Sequence, residues 1–428
     1  MKGNGGRGGR VGRGRGRGSG RVLFRRQERA SLMLLYLATP RGARAGIIHL
    51  INLLFSIAPS LWDQSLDDFM PTWGAPACGP GHHTSGGRLD HYPTDLTRDV
   101  LPVACHSHND YWRRVPLYMA LRVGCTSVEA DVWHFGEVAD DDELYVGHTT
   151  ASLSPNRTLR SLYVDPLVDI LAQQNHRIAD RFEGDGRDDY DEEPPFRGVF
   201  DADPAQTLVL LIDFKTDGAT TWPHVLAQLE PLRARGFLSH WDGAADGAVV
   251  RRPVTVVATG NAPFDRVVAN ASYRDVFFDA PLGVMGAAAG GGSGGGGGGA
   301  AAPADRLNTG QGTTGVARLA PSAFSASNSF YASASFPRAV GHAWTGRLSA
   351  AQLRTLRAQI AGARARGLKA RYWGTPGWPR GRRNRVWETI VREGGEAVVL
   401  NVDDLVGAAR GVWGPMGCVV VGRLAGPT

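Results

Sequence analysis

From position 101 onward, short apolar runs alternate with stretches of helical periodicity. The runs expected to be strands are 101–105, 126–133, 207–215 (TLVLLIDFK), 254–261 (VTVVATGN), 275–280 (DVFFDA), 329–336 (SFYASASF), 369–375 (KARYWGT) and 397–403 (AVVLNVD). Most are apolar almost throughout, as strands covered on both faces are. A helix-like stretch, 114–122, follows the first run, and helical patterns recur at 162–174, 222–235, 349–366 and 383–392. The third of these opens on a capping serine, Ser349. Eight buried-type strands with interleaved helices predict an α/β fold, a parallel (β/α)8 barrel of the TIM type. Between the fourth, fifth and sixth strands no helical pattern is visible, so closure is expected to be irregular there.

The rest of the chain falls outside this alternation. Residues 1–30 read as a disordered Gly/Arg-rich leader, 31–60 as an apolar targeting or anchor segment, 61–100 as a linker, 101–410 as the barrel and 411–428 as a tail. Two insertions interrupt the barrel: an acidic one at 180–200 and a glycine-rich one at 284–325, where Gly294 to Gly299 run without interruption. A polyglycine stretch has nothing to pack and is expected to be a disordered loop.

Charge alters the picture less than it first suggests. The formal charge is +6, which invites a nucleic-acid or membrane reading. Residues 1–30, however, hold Lys2 and nine Arg against Glu28 alone, and the other 398 residues carry 37 Lys or Arg against 40 Asp or Glu. The basicity belongs to the tail, no aromatic is interleaved among residues 1–23, and no specific nucleic-acid partner is expected. Arginines ahead of the apolar blocks 32–38 and 47–58 fit a secretory signal or weak anchor, through which the chain would associate with membranes, or alternatively a mitochondrial presequence. The sequons Asn156-Arg157-Thr158 and Asn270-Ala271-Ser272 favour the secretory route. Four cysteines, Cys78, Cys105, Cys125 and Cys418, are too few and scattered for a disulfide framework or a zinc module. Cys105 reads as a small buried apolar residue, and a Cys78–Cys418 bridge is left open, with nothing in the sequence to establish it.

The chemistry gathers between 101 and 150. The first strand ends in His106-Ser107-His108-Asn109-Asp110, the second carries Glu129 and Asp131, and His148 follows the apolar run 144–146. Side chains alternate across a strand, so Glu129 and Asp131 share one face and suit a single hard cation, Mg2+ or Ca2+. Asp213 and Lys215 share a face of the third strand in the same way. In a parallel barrel these positions converge at the C-terminal ends of the strands, where active groups gather. Asp213 would complete the cation's ligands and Lys215 would reach a phosphoryl oxygen; Lys215 as an internal counter-ion of Asp213 is the structural alternative. An imidazole on either side of an acid pair is what phosphodiester cleavage needs: a base for the nucleophile, an acid for the leaving oxygen and a cation for the phosphoryl charge. His106 and His148 are therefore the expected catalytic pair. His108, and Trp373 and Asn401 at the ends of the seventh and eighth strands, are expected to line the substrate pocket.

The order His, Glu-x-Asp, Gly-His resembles the core of the phosphatidylinositol-phospholipase-C-like phosphodiesterases, which include glycerophosphodiester phosphodiesterases and sphingomyelinase D. The wording HSHNDYW, SVEADVW and LYVGHT is closer still to the fungal family named for altered inheritance of mitochondria protein six, from about Leu101 to about Arg410. The resemblance implies the same barrel, a metal-dependent phosphoric diester hydrolase acting on a phospholipid or glycerophosphodiester, and the site roles just given. It also places Asn109 near the metal. Its relatives often carry Glu where this chain has Asp213. Two other readings compete. His106-x-His108 also suits a metal-dependent amidohydrolase barrel, with Asp403 as its late aspartate, but runs five and six supply none of the histidines that fold needs. A catalytically silent, membrane-associated binding module is the other.

Overall fold

The computed structural model describes Leu50 and residues 96–136, 142–184, 195–243, 249–286 and 319–413. The Gly/Arg leader, all but Leu50 of 31–60, the linker to residue 95, the glycine-rich run, the tail beyond 413, and Cys78 and Cys418 lie outside the described residues. The residues from 96 to 413 belong to one unit, Asp63–Thr428.

Eight parallel strands form the frame: β1 (Val103–Ser107), β2 (Cys125–Trp133), β3 (Leu208–Phe214), β4 (Val254–Gly260), β5 (Val276–Pro281), β6 (Ser329–Ser335), β7 (Lys369–Trp373) and β8 (Val398–Val402). Each pairs with the next, and β8 returns to pair with β1, which closes the barrel. The expected fold is the observed one, with strand bounds within two residues of those read from the sequence.

The helices follow local chemistry. The expected helix 114–122 shrinks to α1 (Tyr118–Arg122), because Pro116 disfavours helical backbone at Val115 and Leu117 then adopts φ 64°. The pattern at 162–174 becomes α2 (Asp165–Gly184), entered through a π-helical turn, Arg160–Val164, so the first residues of the expected acidic insertion continue a helix. Then come α3 (Gly218–Gln228), α4 (Ala350–Arg364) and α5 (Arg380–Gly394). Ser349 caps α4 in a reciprocal box with Gln352. Between β4 and β5 only the four-residue helix Phe264–Val267 forms, and after β5 a single 3-10 turn, Leu282–Val284, is described before residue 319. The β5–β6 register also shifts, so the irregularity lies where no helical pattern was visible. Among the described residues no helix is long and apolar enough to cross a membrane.

Two cores result. The larger lies between strands and helices; a smaller one, including Leu211, Val257, Phe277, Tyr331 and Val399, fills the barrel interior. With a period of two, the next inward residues toward the C-terminal end are Asp213, Thr259, Asp279, Ser333 and Asn401. An apolar plug thus sits one layer beneath a polar mouth.

One cysteine reading is corrected. Cys105 and Cys125 stand 4.5 Å apart at Cα on adjacent strands and form a disulfide, so Cys105 is not a simple apolar filler. Spacing in the chain hides a pairing that β1 and β2 create by running side by side.

Candidate active site

Register assembles the acidic centre. Asp131 on β2 lies opposite Asp213 on β3, and Glu129 is one inward position below. Oxygens of Glu129, Asp131 and Asp213 lie within 4.8 Å of one another, and all three residues are buried. Lys215 Nζ bridges the two aspartates, 2.9 Å from Asp131 Oδ2 and 2.8 Å from Asp213 Oδ2. Each aspartate thereby spends one oxygen on Lys215 and leaves Oδ1 buried with no hydrogen-bond partner among the described residues. Unpaired buried carboxylate oxygens are costly, and a cation bound between them would remove that cost. Burial, with added repulsion from Asp131 and Glu129, raises the Asp213 carboxyl to about 7 against the opposing pull of Lys215. The group therefore fits a divalent cation on its donor chemistry.

The β1 loop folds over this centre. Asn109 takes a left-handed conformation, φ 49°, which asparagine tolerates, and its backbone N–H donates to Glu129 Oε2 at 2.8 Å. Asp110 fastens the loop from inside: it accepts from Ser107 Oγ, Leu117 N and Tyr163 Oη. Tyr111 Oη lies 2.6 Å from both Asn109 Oδ1 and Asp131 Oδ2 and 3.2 Å from His148 Nδ1.

The imidazoles occupy different settings. His148 is held beside the acids because the short strand Tyr145–Val146 pairs with the end of β2, Gly147 N–H donates to Asp131 O, and Trp133 Nε1 donates to Gly147 O. Its Nδ1 is 3.5 Å from Asp131 Oδ2, its side chain is 47% exposed, and Trp112 meets its edge at 5.0 Å. His106 is fully buried, with Nδ1 2.7 Å from Ser127 Oγ and Nε2 3.8 Å from Glu129 Oε2. Burial, reinforced by Arg371 and opposed by Glu129, lowers it to about 4. His108 Nε2 also lies 3.7 Å from Glu129 Oε2, and its Nδ1 contacts Asp403 Oδ1. Burial pushes His108 down, but the Glu129 and Asp403 carboxylates outweigh it and raise its pKa. Glu129 is lowered because His108, His106 and Arg371 together outweigh its burial.

Asn401 is buried on β8 opposite His106, and its Oδ1 accepts from Arg371 at 3.0 Å. Trp373 shares the inward face of β7 with Arg371, one position nearer the mouth, and its Nε1 is buried without a partner among the described residues. Every expected site residue thus reaches the C-terminal end of the barrel. Lys215 does so as the counter-ion of two aspartates.

Two residues central to the arrangement were not singled out by sequence reasoning. Tyr111 stands within HSHNDYW, but nothing in its spacing shows that one hydroxyl would join Asn109, Asp131 and His148. Arg371 is buried and ties Asp279, Asn401 and Ser333 together, 3.4 Å from His106 Nε2. An alternation Lys369, Arg371, Trp373 on a strand with apolar Ala370 and Tyr372 between them was its legible signal.

A family model described as "AIM6-like phosphodiesterase domain" matches residues 94–279. An altered inheritance of mitochondria protein 6 homolog from Arthroderma benhamiae is 36% identical over 338 residues, 77% of this chain and 90% of that protein. Proteins named altered inheritance of mitochondria protein 6 from Eremothecium gossypii and Saccharomyces cerevisiae are 35% and 31% identical, each over 72% of this chain and 70% and 71% of theirs. No solved structure matches.

Proposed function

The chain belongs to the altered inheritance of mitochondria protein 6 family, whose domain is described as a phosphodiesterase domain, and from that premise we propose that it is a metal-dependent phosphoric diester hydrolase of phospholipids or glycerophosphodiesters. The observation that carries this reading is the pair of Oδ1 atoms on Asp131 and Asp213 that have no partner among the described residues, beside Glu129, with His106 within 3.8 Å of Glu129 and His148 within 3.5 Å of Asp131. Glu129, Asp131 and Asp213 would hold a divalent cation, Mg2+ or Ca2+, which would supply positive charge to offset the phosphoryl oxygens. Lys215 holds the two aspartates in register and directs its own charge into the same space. His106 and His148 divide the two proton transfers: one removes the proton from water or a neighbouring substrate hydroxyl, the other returns one to the leaving alkoxide. Asn109, His108, Trp373 and Asn401 line the approach.

An amidohydrolase has less support. Among the described residues, the one cluster suited to a metal contains three carboxylates and no histidine. The fifth and sixth strands also contain no histidine.

The test is hydrolysis of bis-p-nitrophenyl phosphate, glycerophosphodiesters and lysophospholipids by the purified full-length protein, with elemental analysis and re-addition of Mg2+ or Ca2+ after chelation. Activity that survives exhaustive chelation rejects the metal. General acid–base groups contribute about 100- to 10,000-fold, so His106→Ala or His148→Ala should lose at least about 100-fold in kcat; near-normal turnover in either rejects its role. A folded protein inactive on every phosphodiester, with the metal bound, would favour the silent binding module.

The disulfide adds a compartment. Such bonds persist in oxidising surroundings, which supports the secretory route over the mitochondrial alternative, although the relatives' names refer to mitochondria.

A further inference from the structure

We propose that the mouth of the barrel is itself a docking surface for an anionic phospholipid bilayer, centred on Trp344 and Trp378 and the arginines around them. This rests on the lipid phosphodiesterase reading above, and concerns a surface distinct from residues 31–60.

The first observation is where the exposed tryptophans lie. Trp112, Trp344 and Trp378 are 61, 74 and 55% exposed. Each stands in a loop that leaves the C-terminal end of a strand, β1, β6 or β7, and so at the end of the barrel that holds the carboxylates. Large exposed indoles are unfavourable in water and are at home at a membrane interface, where an apolar ring and a polar N–H can both be accommodated.

The second observation is charge. Between residues 319 and 387 the chain carries twelve Lys or Arg and no Asp or Glu. Arg357, Arg371 and Arg383 are matched by Glu393, Asp279 and Asp404. Arg347, Arg382 and Arg385 form no ion pair among the described residues; Arg347 is exposed in the loop that bears Trp344, and Arg382 and Arg385 lie against that loop. Arg382 lies over the Trp344 ring at 5.7 Å and donates to Ala343 O, while Arg385 approaches the backbone at Gly346. The loop bearing Trp344 is thus packed on the first turns of α5, immediately after Trp378. Indole and guanidinium presented together match the acyl–headgroup boundary of an anionic leaflet. Docking there would turn the acidic centre toward the lipid headgroups, so a phosphodiester could reach it without leaving the bilayer.

The experiment uses the full chain and two variants, Trp344→Ser/Trp378→Ser and Arg347→Glu/Arg385→Glu, none of these positions lying in the catalytic centre. Sedimentation with phosphatidylcholine vesicles, with and without phosphatidylserine, needs no turnover and so stands apart from the enzymatic reading. One basic residue at an anionic leaflet contributes about fivefold in affinity. The arginine variant should therefore lose at least about tenfold on phosphatidylserine vesicles and little on pure phosphatidylcholine; the tryptophan variant should lose affinity for both. Both should retain their thermal midpoints and their rates on soluble bis-p-nitrophenyl phosphate. Unchanged vesicle affinity in both variants would assign any membrane binding to another segment and overturn the proposal. Loss of RNA or heparin binding without loss of vesicle binding would overturn it in favour of a polyanion surface.

Discussion

Tyr111 shows how much of the centre depends on one hydroxyl. Burial, then the charges of Asp131 and Glu129, pushes its pKa upward, so it remains an O–H at working pH. Its single proton can go to Asp131 Oδ2 or Asn109 Oδ1, and its oxygen can accept from His148 Nδ1. That chain would engage His148 through Nδ1 and leave Nε2 as the ring nitrogen available for proton transfer, on a side chain that is 47% exposed. Tyr111→Phe keeps the ring and removes the link. A hydrogen bond to a charged group contributes roughly 1.5–3 kcal/mol, so kcat should fall about ten- to a hundredfold with KM nearly unchanged, and the thermal midpoint should fall as well. A rate within twofold of wild type would remove Tyr111 from the positioning of His148. The carboxylates were legible because acids two apart on a strand must share a face, and the histidines because one precedes and one follows that acid pair in the chain. Tyr111 was not, because its role arises from the left-handed turn at Asn109, a backbone event that the letters permit but do not dictate. Arg371 was legible only as a position: its alternation with Lys369 and Trp373 puts it on one face of the strand, but a charged residue reads as exposed until Asp279, Asn401 and Ser333 are seen around it.

The strands were legible almost to the residue, since burial on both faces leaves a continuous apolar run that few other elements produce. Helices were less so, because their ends depend on caps and prolines rather than on periodicity; α1 lost its first turn to Pro116, and α2 continued past its pattern. The end of β4 illustrates an element shaped by the site. Gly260 has φ +67°, and a Cβ there would stand 2.0 Å from Asp213 Oδ1 and 2.8 Å from Phe214 O. The strand must end in a glycine for the Asp213 carboxylate to occupy its place. Gly260→Ala should therefore cost about 1–2 kcal/mol in left-handed backbone strain alone, and should also displace a proposed metal ligand. Calorimetric titration with Mg2+ or Ca2+ should show weakened binding alongside a lowered thermal midpoint. A variant with full stability and undiminished metal affinity would mean that Asp213 takes no part in holding the ion.

At the scale of the molecule, the Cys105–Cys125 bond and the two sequons bear on one question, the compartment in which the barrel folds. The bond fastens β1 to β2 across a sequence separation of 20, directly beside His106 and Ser127. Closing a loop of that length stabilises a fold by about 3 kcal/mol, chiefly by restricting the unfolded chain. Cys105→Ala/Cys125→Ala should accordingly lower the unfolding free energy in urea by about that amount while the carboxylates keep their places. Asn156 and Asn270 are both exposed, and Asn270 Oδ1 accepts from Ser272 N and Oγ, holding its sequon in a compact surface turn. A chain that follows the secretory route should carry glycans at these asparagines, removable by endoglycosidase, and should resist thiol alkylation at Cys105 and Cys125 until it is reduced. A chain recovered from its native cell with free Cys105 and bare Asn156 and Asn270 would point to a reducing compartment. The apolar segment 31–60 would then be read as an organelle presequence, and the barrel would have to reach its stability from packing of the two cores alone.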